Sequence, residues 1–493
     1  MEPPFRKILI ANRGEIAVRV ARSAKALGIT TVAVYSSADE KSLHAMIADE
    51  SVWIGGADPE ESYLNIDAII YATKKTGAEA VHPGYGFLSQ RADFAERLRE
   101  EGVVFIGPPP NVQRLVGDKL GARRFFANAG VPVVPGTYSA VNSRDAISVA
   151  EELGFPVIVK PAGGGGGIGM KIASNEEELT KSLKEASELA GKTFGKFEVY
   201  LEKYLPKARH IEVQILGDGK GKVFHLFERE CSVQRRFQKL IEEAPSPALS
   251  PELREHLLSI ALKAADACRY VNAGTFEFLF DPSNANFYLL EVNSRIQVEH
   301  PVTEMITGVD IVREQIYIAA GEGVSFKQED IKMRGSAIEA RVYAEDPSNN
   351  FAPSPGKLTV YREPSGPWIR VDSGYYEGAE VPFYYDPLIM KVTSWGITRE
   401  EARRRLALAI EETMIEGVST NMVLLHAVLN NRAFVSGNYS TRILEEEKIL
   451  ENLQRHSMQR LRLPKKEKAE KVVSVRRAEG EIWRLASRIR PHL

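Results

Sequence analysis

Two glutamates that face each other across a hairpin, followed by an Arg, a Gln and a Glu at alternate positions, carry the chemistry of this 493-residue sequence. The run A-G-T-F-E-F-L-F from Ala273 to Phe280, a polar loop, and N-F-Y-L-L-E-V-N ending at Asn293 read as two strands and a turn. Alternation puts Glu277 and Leu279 opposite Phe276, Phe278 and Phe280, and puts Glu291 and Asn293 together. With the turn centred near Asn284, Glu277 pairs with Glu291. Two carboxylates directly opposite repel, so a cation belongs between them, and Mg²⁺ suits a site of few carboxylates completed by water and phosphate oxygens. If the chain stays extended, Arg295, Gln297 and Glu299 continue on that face. Arg supplies a fork for a small planar oxyanion and Glu a base to deprotonate it. A surface strand of alternating charge would leave the paired glutamates unexplained.

The elements around this hairpin must bring phosphate-binding groups to it. K-I-L-I-A, N-R-G, a helical run to Leu27, Gly28 and T-T-V-A-V-Y-S form a βαβ opening, with further units at Glu79–His82 and Val103–Ile106, so an open, mostly parallel sheet is expected to about residue 117. Gly14 stands in the first turn without a G-x-G-x-x-G, which excludes a dinucleotide fingerprint there. His82 to Phe87, H-P-G-Y-G-F, fits a ligand loop after a strand and a turn packed by aromatics equally well. Leu115 to Gly130 reads as a helix with Lys119 in its first turns, where a cation opposes the helix dipole; a phosphate grip and a solvated lysine remain equal readings. A strand ending at Lys160 meets five glycines and a G-M-K, Gly163 to Lys171. That much backbone freedom suits close approach to phosphates and a moving lid, and is not the Walker pattern. Val199 to Tyr204 is a strand whose backbone and Glu202 suit an adenine edge. R-H-I-E-V-Q-I-L from Arg209 sets His210, Glu212 and Gln214 against an apolar face, and Gln234, Arg235, Arg236 and Lys239 concentrate charge as an anion site or a solvated basic loop would. Helices are expected over Pro251–Tyr270, Asp310–Ala320 and Arg399–Glu416. After Gly335 short strands and turns indicate an α+β lobe, with Arg341 mid-strand among apolar neighbours and in need of a carboxylate or a ligand oxygen.

Lys plus Arg total 64 against 66 Asp plus Glu, so no global charge points to nucleic acid. The stretch Glu451–Leu493 instead holds twelve Lys or Arg and five Asp or Glu. Cys231 and Cys268 are too few for a disulfide framework and suggest a reducing, cytoplasmic setting. No apolar run approaches membrane-spanning length. The glycine lid, the paired metal ligands, the lysines and the Arg/Glu pair together specify phosphoryl transfer from ATP to a small oxyanion, giving an acyl phosphate.

The sequence resembles the biotin carboxylases, the ATP-grasp components of acetyl-CoA, propionyl-CoA and pyruvate carboxylases. The likeness runs from Arg6 to about Leu444 through K-I-L-I-A-N-R-G-E-I-A, H-P-G-Y-G-F-L-S, G-D-K, G-G-G-G-G-I-G-M, E-K-Y-L, R-H-I-E-V-Q, E-V-N-S-R-I-Q-V-E-H-P-V-T-E and Y-A-E-D-P. It implies a multidomain α/β and α+β fold: an N-terminal open parallel α/β domain (1–117), an ATP-grasp domain (118–333) with a mobile glycine-rich lid at about 135–205, a C-terminal α+β domain (334–447) and a basic extension (448–493). Carried onto matching positions, it implies that Lys119, Lys160, Gly166, Gly167, Met170, Glu202, Lys203, Tyr204, Leu205, His210, Gln234 and Leu279 hold ATP. Glu277, Glu291 and Asn293 would hold Mg²⁺ or Mn²⁺. Lys239, Arg295, Gln297 and Val298 would hold bicarbonate, Glu299 would deprotonate it, and Arg341 would steady the biotin enolate. The family is usually homodimeric. Phe237, Ile168 and Gln90-Arg91 depart from its common His, Arg and Glu-Asn. No Met-Lys-Met biotinylation motif occurs, so biotin is expected on a separate biotin carboxyl carrier protein, with a carboxyltransferase as a further component of the complex and the basic tail as a dock for that partner. Neither nucleic acid nor membrane is an expected partner. A carbamoyl-phosphate type of ligase and a non-catalytic nucleotide-binding scaffold are the rival readings; the second would have lost Glu277, Glu291, Arg295 or Glu299.

Overall fold

The computed structural model describes residues 3–163, 169–194 and 198–453. The expected lid residues Gly166 and Gly167, the departure at Ile168 and the basic tail from residue 454 lie outside them. Strands β1 (Lys7–Ile10), β2 (Thr30–Tyr35), β3 (Glu50–Trp53), β4 (Ala80–His82) and β5 (Val104–Phe105) form a parallel sheet in the order β3-β2-β1-β4-β5. Near-continuous apolar strands such as K-I-L-I are what a sheet covered on both faces requires, and Ile8, Leu9 and Ile10 are buried. Helix α1 (Gly14–Ala26) follows β1 with Glu15 in its first turn.

Strands β6 (Val157–Pro161), β7 (Lys171–Ala173) and β8 (Val199–Lys203) make a small antiparallel sheet. An eight-stranded sheet then joins β9 (Arg209–Gly217), β10 (Val223–Arg235), β11 (Gln238–Ala244), β12 (Asn272–Asp281), β13 (Asn286–Asn293) and β14 (Ser336–Tyr343) to the strands Leu388–Gly396 and Ile369–Ser373. Its order is β13-β12-β9-β10-β11-β14, then Leu388–Gly396, then Ile369–Ser373. The change of sequence character at Gly335 therefore leaves the sheet uninterrupted: β14 pairs directly with β11. One face of β9, β12 and β13, carrying Ile211, Val213, Ile215, Phe276, Phe278, Phe280, Phe287 and Leu289, packs on the helix Pro251–Ala267 through Leu257, Leu258, Ala261 and Ala264. The opposite face carries the polar groups His210, Glu212, Gln214 and Glu277, with Leu216 and Ala273 buried at its far end against the N-terminal apolar cluster.

Three expected helices differ. Leu115–Gly130 is two helices, Pro110–Gly117 and Lys119–Asn128, because Asp118 turns extended and caps the second by accepting from the Gly121 amide at 3.1 Å. Lys119 becomes the first helical residue. The helix from Pro251 ends at Ala267, three residues short of Tyr270. The helix from Arg399 ends at Glu412, and Met414–Glu416 pairs instead as a strand with Val360–Arg362. Among the described residues no helix is long and apolar enough to cross a membrane.

The strand Ile369–Ser373 runs into Gly374, whose backbone abuts the start of α1. A Cβ at Gly374 would lie 2.6 Å from the Glu15 nitrogen and 2.6 Å from the Gly14 carbonyl carbon. Backbone cannot yield as a side-chain tip can, so Gly374→Ala is expected to destabilise the chain by about 1–3 kcal/mol and to lower the thermal midpoint. Gly117→Ala, with nothing within 4 Å of the new methyl, is the neutral control.

Candidate active site

The hairpin β12–β13 pairs Glu277 with Glu291, and β9 sets Glu212 beside Glu277 on the other side. Three carboxylates thus lie abreast on the polar face. The turn is centred between Ser283 and Asn284, since Asp281 pairs with Asn286, and the register shifts by one residue between Glu277 and Phe278. That bulge, at Leu290, turns Glu291 and Asn293 away from the core face that Phe287 and Leu289 occupy. Without it Glu291 would point at the hydrophobic core.

The compensating charge is Lys239. Its Nζ lies 2.6 Å from Glu212 Oε2, 3.1 Å from Glu277 Oε1 and 2.7 Å from Glu299 Oε1. Burial alone would lower the Lys239 pKa, but the three glutamates outweigh it and hold the value well above normal. The converse holds for the acids. Burial would raise Glu299, yet Lys239, Arg341 and Arg229 keep it well below the usual carboxylate range; Lys239 and His210 do the same to Glu277. Both are ionised at neutral pH. Glu277 Oε2 takes His210 Nε2 at 2.7 Å, and Gln234 Nε2 lies 2.7 Å from His210 Nδ1. The Gln234 amino group can only donate to Nδ1, an arrangement that fits an Nε2–H donated to Glu277.

The extended run expected through Glu299 ends at Asn293. The chain turns, with His300 Nδ1 2.8 Å from the Gln297 carbonyl, and enters the helix His300–Thr307 with Pro301 in its first turn. Arg295, Gln297 and Glu299 still converge, through the turn rather than through strand parity. Arg295 donates from Nη1 to Gln297 Oε1 at 2.6 Å and from Nη2 to Asn293 Oδ1 at 3.2 Å, while Gln297 Nε2 donates to Glu277 Oε1 at 2.7 Å. Arg295 Nε also donates to Gln90 Oε1 at 2.8 Å, so Gln90 meets the candidate site and sets a neutral amide beside Arg295. Arg91 is outside it, paired with Asp93 at the surface. Arg341, on β14, donates to Glu299 Oε2 at 2.9 Å and pairs with Glu242, the carboxylates its burial demanded. Burial, opposed by Arg341 and reinforced by the Glu299 charge, pushes Glu242 up to about 7.

Lys160 Nζ lies 2.5 Å from Glu202 Oε2, whose Oε1 takes Arg123 Nη1 at 2.6 Å. The Glu202 carboxylate is thus engaged by two cations, Arg123 and Lys160, at the segment where the sequence expects backbone and Glu202 to meet an adenine edge. The Lys203 ammonium turns away to the Gly154 carbonyl at 2.6 Å, and the Tyr204 amide donates to Pro156 at 3.1 Å; Leu205 follows directly. Burial lowers the Lys119 pKa, with the Glu291 charge opposing and the Lys160 charge adding to it, so Lys119 feels both Glu291 and Lys160. Leu279, on the face of Glu277, lies opposite His210 and Tyr288. Met170 is half-buried beside the undescribed stretch. Phe237 stands at the tip of the β10–β11 turn, where it and Arg236 both adopt left-handed backbone, φ 67° and 51°.

Sequence reasoning missed Glu242, the second partner of Arg341, and Arg229. Arg229 is wholly buried on β10 and bonds Glu212, Gln214 Oε1 at 2.8 Å, Thr275 Oγ1 at 3.0 Å and Thr303 Oγ1 at 3.0 Å. It anchors Glu212, and hence Lys239. The argument applied to Arg341, a cation within a strand that needs a carboxylate, would have found it in E-R-E-C.

Family models described as biotin carboxylase N-terminal domain, carbamoyl-phosphate synthase L chain ATP-binding domain, and biotin carboxylase C-terminal domain match residues 4–113, 118–327 and 339–446. Biotin carboxylase 1 of Bacillus subtilis is 49% identical over 442 residues, covering 90% of this chain and 98% of that protein. The biotin carboxylase of Pseudomonas aeruginosa is 49% identical over 443 residues, again covering 90% and 98%. The biotin carboxylase domain dimer of Hydrogenobacter thermophilus 2-oxoglutarate carboxylase, solved with MgADP, ADP and bicarbonate, superposes with a TM-score of 0.88 at 47% identity, covering 90% of this chain and 98% of that one.

Proposed function

The chain belongs to the biotin carboxylase family, and on that premise we propose that it catalyses ATP- and bicarbonate-dependent carboxylation of biotin on a separate carrier protein. It would act as an ATP-dependent carbon–nitrogen ligase, performing the first half-reaction of a multi-component carboxylase whose final acceptor is an acyl-CoA or pyruvate. The observation that carries this reading is the contact of Glu299 with both Lys239 and Arg341 beside the Glu277/Glu291 pair. That contact supports the reading, because an ionised carboxylate next to a carboxylate pair suited to a metal and phosphate also meets a second cation suited to an oxyanion.

Glu277, Glu291 and Asn293 offer hard oxygen donors that fit Mg²⁺ or Mn²⁺. Here the Asn293 amino group occupies the place between the carboxylates, 2.7 Å from Glu277 Oε1 and 3.4 Å from Glu291 Oε1. A bound divalent cation would neutralise the ATP phosphates. Lys119, Lys160, His210 and Gln234, with the backbone of 202–205, Met170 and Leu279, form the nucleotide side of the cleft. Bicarbonate would take Lys239, Arg295, Gln297 and Val298. Once an anion draws the Lys239 charge to itself and adds its own negative charge, Glu299 loses part of what depresses it and its pKa rises, which makes it a better base. Bicarbonate oxygen then attacks the γ-phosphorus as its proton passes to Glu299 and ADP leaves. Carboxyphosphate breaks down to CO₂ and phosphate, the phosphate takes the ureido proton, Arg341 steadies the enolate oxygen, and N1 captures CO₂. The partners would be a biotin carrier, a carboxyltransferase and a second copy of the chain, in the cytoplasm.

The test is ADP release with MgATP and bicarbonate, with and without free biotin. Biotin is expected to raise the rate. Equal release without it would replace this reading by another bicarbonate-using ATP-grasp reaction, of which carbamoyl-phosphate synthesis is the candidate that the central family match raises.

A further inference from the structure

Lys391 is a buried cation that the reaction as derived leaves without a role. Its side chain, on the strand Leu388–Gly396, is 0% exposed, and burying an ammonium is costly unless it is paired. Its partners come from two distant segments. Nζ donates to the Val298 carbonyl at 2.7 Å and lies 3.0 Å from Glu15 Oε1, at the start of α1. The same Glu15 oxygen accepts the Tyr85 hydroxyl, which ties in the loop after β4. Across the sheet Arg341 and Asp372 stand on either side of Lys391, and Asp372 bonds to Arg370 at 2.7 Å.

A purely structural ion pair needs only Glu15. The bond to a main-chain carbonyl adds something else, because the Val298 carbonyl belongs to the peptide unit that leads into Glu299. Fixing that plane fixes where the Glu299 side chain begins. We propose that Lys391 is a positioning residue for the carboxylation reaction, holding the Val298–Glu299 peptide from behind against Glu15 so that Glu299 meets Lys239 and Arg341. The proposal rests on Glu299 acting as the base that deprotonates bicarbonate. It also gives Tyr85 and the first turn of α1 a share in the site: they brace Glu15, which braces Lys391.

Lys391→Met keeps the length of the side chain and removes the donor. It is expected to lower kcat of biotin-dependent ADP release at least tenfold and to raise KM for bicarbonate at least tenfold, with KM for MgATP within twofold, since the nucleotide groups lie on other strands. Glu15→Gln keeps the shape and weakens the brace, so it should give the same split to a smaller extent. The double variant should be no worse than Lys391→Met alone, as members of one unit behave. A folded Lys391→Met with both constants within twofold of the parent, or with both KM values raised alike, overturns the proposal. If Lys391→Met does not fold, Glu15→Gln decides by the same split, and parental constants there overturn it. Failure of the functional reading would show separately, as a parent chain that binds MgATP in a calorimeter but releases no ADP in response to biotin; that result removes the proposal with its premise.

Discussion

Glu299→Gln is expected to reduce biotin-dependent ADP release by about 10²- to 10⁴-fold, the usual worth of a positioned general base, while MgATP binding stays near the parental value. The substitution keeps volume and one oxygen, so Lys239 and Arg341 retain an acceptor, but an amide cannot take the bicarbonate proton. Direct titration with MgATP and steady-state ADP release separate the two quantities. A variant with more than a tenth of parental turnover would remove Glu299 from the role of base and leave it as a counter-ion to Lys239 and Arg341.

Lys239→Met should be nearly as damaging and should also unsettle the fold. Lys239 compensates Glu212, Glu277 and Glu299 at once, and removing one partner of a buried charge cluster costs about 3–5 kcal/mol. The sign of the pH dependence follows from the folded pKa values. Glu277 and Glu299 are held below the usual carboxylate range, so their pairing stabilises the parent above the unfolded pKa and is lost as pH falls through the lower folded values. In Lys239→Met those carboxylates titrate higher and take up protons sooner on acidification. The stability deficit should be largest near pH 7.5 and shrink by pH 5.5, read as urea midpoints at the two values. A deficit independent of pH would mean that packing, not charge, is what Lys239 supplies.

Much of the site could be read in advance because its determinants are local. Glu277 and Glu291 are fourteen residues apart in one hairpin, and mirror symmetry about a turn pairs them. The assumed centre at Asn284 is half a residue off, yet the pairing stands because the bulge at Leu290 adds the missing residue; two small deviations cancel. Arg341 announced its need for a carboxylate by being charged within an apolar strand, and the structure supplies two. What was not legible depends on elements far apart in the chain. That Glu212 is held by Arg229 and Lys239 follows from the sheet order β9-β10-β11, which single-strand alternation does not encode. The Glu202 carboxylate meets Arg123 through a contact between the helix Lys119–Asn128 and the small sheet, and Lys160 through the pairing of β6 with β8 inside that sheet. The break at Asp118 was within reach, since an Asp just before a helical run is a capping signal, but the apolar periodicity on both sides masked it.

The continuous sheet across β11 and β14 separates lineage from architecture. Three family descriptions tile the sequence, and one border between them falls between residues 327 and 339. At that border Ile241, Glu242, Glu243 and Ala244 are hydrogen-bonded partners of β14, and the charge cluster holding Glu299 takes Lys239 from one side and Arg341 from the other. The matched segments are not units that could be parted: a fragment ending at the border would expose a sheet edge and half of the charge cluster together. Recombination among relatives should therefore succeed when both flanks of this seam travel as one piece, and fail when the cut follows the description.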